Sequence, residues 1–509
     1  MDKNISLTID ITSDNISSGI GRTTSIAYLL DPYGRVISSG DLSITRAPYT
    51  GNITFISNND ITETRSYNDW ELLTEKTVVH NGEILFKANY QYDALQRITQ
   101  TTEIILGDTS VIDYIYNGAG QLHTVYKNGV QTESYVYDNY GNRQLANKNG
   151  FWYSYTTNAN NRLETYTWEQ SGNTRLVDFI HNNSGQLLST ANKSLYNGYP
   201  QTTSSRDYSY DVFGNLNSVT WASQTQHYIY DGYDRQIATY QNGSVKRKLI
   251  FGLGSTPLAE LNMNDRIINT FVYADSHTPL LMRKGNVDYY IIYDIRGSVR
   301  MVLNIATGAI RQQIDYDAFG KVITDTNPGY TPFGYAGGLY DYRTNLIRFG
   351  ARDYYPEIGR WTAEDPIGFL SGDVNFYAYC SNDPVNFIDP TGYSAIVNGV
   401  TTSDGFLFRG FTVKAPVNIP VQRFGNMSVN RPDYWGLRIG KSEFANRTFA
   451  AIKPSWNPLT QYTKGVIPKG TPMKFGVIGP QGVKYPGGSL QFIIDSRLVI
   501  EQSSTMISR

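Results

Sequence analysis

Cysteine occurs once in the 509 residues, at position 380. That excludes an internal disulfide and any zinc cluster built on thiolates. Charge is also scarce: charged residues make up 17%, and 44 basic against 45 acidic side chains leave a net charge of −1. Apolar residues make up 40%, enough to build a core, so a disordered chain is not expected. No stretch approaches the ~20 consecutive apolar residues of a membrane helix. The first residues, MDKNISLTIDITSD, carry no apolar signal core. These absences predict a chain made in the cytoplasm, under reducing conditions, and exported, if at all, by a route not written as an N-terminal signal peptide.

Histidine is rare too, and unevenly placed. All five (80, 123, 181, 227 and 277) precede residue 278. The last 116 residues, 394–509, hold no His and no Cys, but 14 Lys and Arg against 5 Asp and Glu. The first 393 therefore hold 30 basic and 40 acidic residues. An acidic body and a basic tail meet near residue 393, which predicts a domain boundary there.

What the chain has in excess is tyrosine (40) and glycine (46). Tyr favours strands and Gly favours turns, so the composition is that of a mainly β protein. The tyrosines recur in one pattern. Tyr92-Asp-Ala-Leu-Gln-Arg-Ile is followed by copies at Tyr116, Tyr137, Tyr210, Tyr230, Tyr293 and Tyr316, with weaker ones at Tyr155 and Ile180. Each unit reads Tyr-Asp-x-x-Gly-x-apolar: a strand enters, Asp starts a tight turn, Gly takes the positive-φ position, and a second strand leaves. One hairpin cannot bury its own face, so the units must stack into a long sheet. These units resemble the YD repeats of the Rhs family, shared with teneurins and the C components of insecticidal Tc toxins. The resemblance implies a spiralling YD-repeat β-shell, hollow or partial. Clear repeats cover 85–330, after a β-rich segment at 1–84 without a clean copy.

Residues 337–393 end in two copies of D-P-x-G, beginning at Asp365 and Asp389. Alone, that spelling is the recipe for a type I turn. Its setting is more specific: G-L-Y-D-Y-R, R-F-G-A-R-D-Y-Y-P-E-I-G-R-W, N-F-Y-A-Y, N-D-P-V-N and D-P-T-G-Y follow in order. Over about 57 residues this resembles the Rhs-associated core, and the resemblance implies a plug at 331–393 that acts as an intramolecular aspartyl protease. Asp365 and Asp389 are then the catalytic pair, Arg352 a charge that sets their protonation, and Tyr393/Ser394 the cut bond. Two adjacent carboxyls suit the task, because one keeps a proton while the other deprotonates water. The family often has Leu before the cut, where this chain has Tyr. Glu357 and Asp383 read as turn and surface residues.

The tail, 394–509, reads as a small α+β domain. Its order of R-F-G (Arg423), F-x-x-R (Arg447), P-K-G and P-G-G-x-x-Q-F (Gln491) resembles the necrotizing-toxin family of NAD glycohydrolases. That resemblance makes NAD or NADP the substrate, with Arg423 and Arg447 on its phosphates and Gln491 at the nicotinamide riboside. Arg409 is a further phosphate candidate, and Tyr434 or Trp435 a stacking ring. The family's His is missing here; Gln461 or Tyr462 stands nearby. Without His or Cys, and with five scattered acids, no metal site is expected. Alternatives are ADP-ribose transfer, for which Glu501 lacks the usual E-x-E setting, and a His-independent ribonuclease, the one reading in which the basic tail meets nucleic acid. The chain as a whole reads as a polymorphic toxin that needs no cofactor for self-cleavage and is delivered into a target cell. Its partners would be an immunity protein and secretion machinery or a second shell chain. The rival is a non-enzymatic adhesion or scaffold protein.

Overall fold

A computed structural model describes residues 5–13, 22–31, 34–48, 50–170, 173–196, 199–252, 255–274, 277–368, 373–393 and 395–397, and then seven strands between 411 and 506. The chain divides into two compact units, one of 1–66 with 73–398 and the other of 67–72 with 399–509.

In the first unit the Tyr-Asp units fold as hairpins. Asp93 shows the wiring: its Oδ1 accepts the N–H groups of Leu95 and Arg97, both at 2.9 Å. Its backbone carbonyl accepts from Gln96 N–H at 2.9 Å. The residue three places after the Asp or Asn sits at positive φ, as at Gly120 (83°), Gly141 (75°), Gly214 (93°) and Gly320 (86°). That explains the preference for Gly, which meets no steric penalty there. The strand register slips by one residue just before each repeat tyrosine, between Gln91 and Tyr92, Ile115 and Tyr116, and Ile229 and Tyr230.

The tyrosine then ties its hairpin to the previous one. Tyr92 Oη donates to the Leu73 carbonyl at 2.6 Å, Tyr116 to Ile98 at 2.6 Å, and Tyr230 to Leu216 at 2.9 Å. Each of these acceptors opens the strand that leaves the preceding turn. A bond of this kind contributes about 1 kcal/mol net. The same bond recurs at Tyr273, which donates to the Pro257 carbonyl at 2.7 Å, but not at Tyr137 or Tyr316, whose buried hydroxyls find no acceptor.

Among the described residues 29 strands, from Ile5–Ser13 to Val322–Asp325, form a single sheet. Sequence neighbours pair antiparallel throughout the runs 5–67 and 73–325. The strand Glu83–Tyr92 crosses the expected boundary at residue 84, so the N-terminal segment is part of the shell. The sheet coils back on itself. Tyr290 Oη donates to Glu63 at 3.0 Å, Arg300 binds Glu103 at 2.9 Å, and Lys148 binds Asp317 at 2.7 Å.

The core segment follows the last strand. Its four short strands, Leu339–Asp341, Leu346–Phe349, Arg352–Tyr355 and Arg360–Trp361, surround an aromatic cluster of Tyr335, Phe349, Tyr354, Trp361 and Tyr379. Its polar groups rest on the row of repeat turns. Asn382 Nδ2 donates to the Gly141 carbonyl at 2.8 Å, Tyr377 Oη to Gly185 at 2.8 Å, and Arg348 to Asn215 Oδ1 at 2.7 Å. Arg360 reaches the Asn161 carbonyl. The shell turns thus present a series of acceptors, and the core docks on them.

The second unit contains a seven-stranded antiparallel sheet. Its order is Phe411–Lys414, Pro472–Val477, Leu490–Asp495, Pro432–Gly436, Ile419–Phe424, Gln461–Ile467 and Ile500–Met506. Of the expected α+β domain the described residues show this sheet, and no α-helix is among them.

Candidate active site

Both D-P-x-G turns close as their spelling requires. Gly368 N–H donates to the Asp365 carbonyl at 3.0 Å and Gly392 N–H to that of Asp389 at 3.4 Å, with both glycines at positive φ (53° and 68°). One carboxylate oxygen of each Asp serves its own turn. Asp365 Oδ1 accepts Ile367 N–H at 3.0 Å; Asp389 Oδ1 accepts Tyr393 N–H at 3.2 Å and the Thr391 hydroxyl at 3.1 Å. The other oxygen of each is left to face inward.

Both inward oxygens meet the same atom. Arg352 Nη2 lies 2.8 Å from Asp365 Oδ2 and 3.2 Å from Asp389 Oδ2. Arg352 sits at the head of the strand Arg352–Tyr355, its guanidinium 4.1 Å from the centre of the Trp361 ring. Its remaining donors go to backbone: Nε to the Gly392 carbonyl at 2.6 Å and Nη1 to that of Phe376 at 3.2 Å. All three charged residues are buried, with relative exposures of 5% (Arg352), 8% (Asp365) and 2% (Asp389). Three charges confined out of water must neutralise one another or move protons. Burial pushes the Asp365 carboxyl above its ordinary range, against the pull of Arg352, and the Asp389 charge adds to the push. Burial also lowers the Arg352 pKa, with both carboxylates opposing. Cys380 is buried beside them; burial first, then Asp389, drives its thiol well up, so it stays a neutral thiol.

The residues around the expected cut form a loop. Phe387–Ile388 pairs with Ile396–Val397, in the register Ile388 to Ile396, and the loop between them carries Asp389 to Ala395. Ile396 and Ala395 pack on the aromatic cluster. Tyr393 is at the surface, 38% exposed, and Ser394 lies outside the described residues.

Asp383 corrects an expectation. It begins a turn, as anticipated, but it is buried rather than at the surface. Its carboxylate accepts from the Asn386 backbone and side chain, while Asn386 Oδ1 takes Ile98 N–H from the shell at 2.7 Å. Burial pushes Asp383 up to about 7. Glu357 is half-buried and holds Lys321 at 2.9 Å. Sequence reasoning missed Gly350, whose role is visible only in the packing described below.

In the tail, Gln491 stands in register with Gly436 on one side and Gly476 on the other. Tyr434 pairs with Ile493, and Trp435 with Phe492. Gln422, not Arg423, is in register with Gly436; Arg423 pairs with Thr463 on the next strand. Arg423 and Gln491 are thus two strands apart and one position out of phase. Arg409 and Arg447 lie outside the described residues. Among the described residues there is no cluster of acidic, His and Cys side chains suited to a metal ion, and no helix long and apolar enough to cross a membrane.

A coiled sheet of Tyr-Asp hairpins bearing an aromatic core segment defines a YD-shell protein. The teneurin YD-shell family matches residues 3–385, and the chain belongs to it. Teneurin-3 of Danio rerio is 27% identical over 328 residues, covering 60% of this chain and 11% of its own length. The tRNA3(Ser)-specific nuclease WapA of Bacillus spizizenii is 27% identical over 287 residues, covering 53% and 11%. A crystal structure of TcdB2-TccC3 aligns over 76% of this chain and 23% of that one, at 15% identity and a TM-score of 0.40. The chain thus spans 11% of the length of these two curated relatives.

Proposed function

We propose that the core segment hydrolyses its own chain between Tyr393 and Ser394, and that the basic tail so released is a toxin. The observation that carries this reading is the single buried guanidinium of Arg352, which holds both carboxylates and the Gly392 carbonyl next to the bond to be cut. Asp365, pushed up by burial, suits the proton donor; Asp389 suits the base. Asp389 takes a proton from water, and the water oxygen bonds to the Tyr393 carbonyl carbon. The carbon–nitrogen bond then breaks, and the Ser394 nitrogen leaves with a proton from Asp365. The products are a carboxyl at Tyr393 and an amine at Ser394. Intact mass of the expressed protein tests this. Wild type is expected as two fragments, 1–393 and 394–509, and Asp365→Asn as one unbroken chain. The same two fragments from Asp365→Asn at the wild-type rate would remove the reading.

The tail's activity rests on its motifs. Arg423, Arg447 and Gln491 support a glycohydrolase acting on NAD or NADP, guarded in the producing cell by an immunity protein. A second reading, cleavage of RNA, draws on the tail's positive charge and on WapA, a relative named as a tRNA nuclease. Incubating the self-cut protein with NAD separates them. Free nicotinamide, lost in Gln491→Ala, supports the first; degraded tRNA with NAD intact supports the second.

A further inference from the structure

The strand end next to Arg352 carries more than an ion pair. Ala351 N–H donates to the Thr391 carbonyl at 2.9 Å, and Arg352 Nε to the next carbonyl, Gly392, at 2.6 Å. Two successive carbonyls of the loop are thus held by two successive residues of the core. The contact is possible because both chains pass as bare backbone. A Cβ on Gly350 would lie 2.1 Å from the Thr391 oxygen, and one on Gly392 2.4 Å from the Phe349 oxygen and 2.8 Å from the Arg352 nitrogen. Separations below 3.0 Å against backbone cannot be relieved by turning a side chain. Gly350 (φ 42°) and Gly392 (φ 68°) are also in the left-handed region. Downstream of the cut, Ile396 pairs with Ile388 and packs on the aromatic cluster. The loop is therefore fixed on both sides of the Tyr393–Ser394 bond.

The geometry points to Gly350, Ala351 and Arg352 as a register clamp: they grip residues 391 and 392 by backbone, so the bond cut is set by its distance from Gly392 and not by the side chain at 393. This rests on the self-cleavage reading above. It explains how an exposed Tyr393 stands where apolar recognition alone would call for a pocket. Gly350 and Ala351 are positioning residues, since they touch the substrate loop without supplying a proton.

Two variants of the full chain test it, with intact mass and the rate of fragment appearance as readouts. Gly350→Ala is expected to slow cutting on the order of tenfold or more, because a displaced carbonyl leaves the attack geometry; thermal melting of the shell controls for folding. The second variant inserts one alanine between Gly392 and Tyr393, in the loop and outside the core. The clamp then cuts after the inserted alanine, and the released tail is heavier by the mass of tyrosine. Gly350→Ala cutting at the wild-type rate and bond overturns the clamp. So does an insertion variant that is cut after Tyr393 or left uncut. If Asp365→Asn still cuts, the protease reading has failed instead.

Discussion

Asp31 and Asp365 open the same four letters, D-P-x-G, and their first steps are the same. Gly34 N–H donates to the Asp31 carbonyl at 2.9 Å, as Gly368 does to Asp365 at 3.0 Å. Each Asp uses Oδ1 to receive a backbone N–H of its own turn. The difference is where Oδ2 points. Asp31 Oδ2 finds Arg35, four residues on, at 2.6 Å, with side-chain exposures of 26% for the Arg and 12% for the Asp. Asp365 Oδ2 finds Arg352, which it shares with Asp389 in a buried site. Asp93 and Asp231 repeat the Asp31 pattern with Arg97 and Arg235, and their turn hydrogen bonds and arginines hold the carboxyls below the ordinary range despite some burial. Burial reverses that sign at Asp365. One turn recipe therefore yields a local ion pair when its arginine is near in sequence, and a buried pair of carboxyls on one guanidinium when the arginine is remote and shared.

That contrast explains what could be read from the letters. The hairpins, their turn residues and the trio Asp365, Asp389 and Arg352 were legible, because turn chemistry is local and the order of core motifs is distinctive. The copies in 1–84 were not. Asp31 lacks the preceding tyrosine, having Leu30, and Asn68 replaces Asp in the turn that puts Glu71 at φ 60°. Hydrogen bonding tolerates both changes, since the Asn68 side-chain oxygen still accepts from Trp70 and Leu72 N–H at 3.0 Å. The burial of Asp383 was illegible for a related reason: Asp-Pro spells a turn whether or not another chain segment lies over it. Gly350 was missed, because its close approach to Thr391 is a long-range fact.

The sharpest way to break the comparison is the same substitution in both settings. Asp365→Asn removes the carboxyl that would donate the proton and is expected to slow release of the 394–509 fragment by about 10²–10⁴-fold. Asp31→Asn should leave that fragment untouched. Equal cleavage by both variants would mean that a turn with its own local arginine and one with a remote, shared arginine are chemically alike.

A smaller effect probes buried carboxyls that have no shared arginine. Glu133 and Asp383 are both pushed up to about 7, burial being the first cause in each and the Asp317 charge the second for Glu133. Their values in an unfolded chain lie near 4. A raised folded value means that the folded state holds the proton more tightly. The stabilisation is fully present below about pH 4 and is lost as pH rises through about 7. Each group contributes at most about 4 kcal/mol. Urea midpoints should fall between about pH 5 and about pH 8 in wild type, and the fall should flatten in Glu133→Gln with Asp383→Asn. A double variant with the wild-type slope would show that these two groups are not the ones titrating.

The smallest effect concerns Asp31 itself, and it tests whether the shell turns depend on charge at all. Asparagine keeps a side-chain oxygen, so the bond from Arg35 N–H, 2.9 Å in the native chain, survives. Only the ion pair with the Arg35 guanidinium goes. A pair partly open to solvent contributes about 1 kcal/mol or less, and salt screens it. Asp31→Asn should therefore lower stability by no more than that, with the gap closing in high salt. Asp31→Ala loses the oxygen as well, and should cost about 1 kcal/mol more at any salt. If both variants lose the same amount, the turn is held by charge and not by backbone acceptance. Asn68 in the parallel turn would then have no explanation.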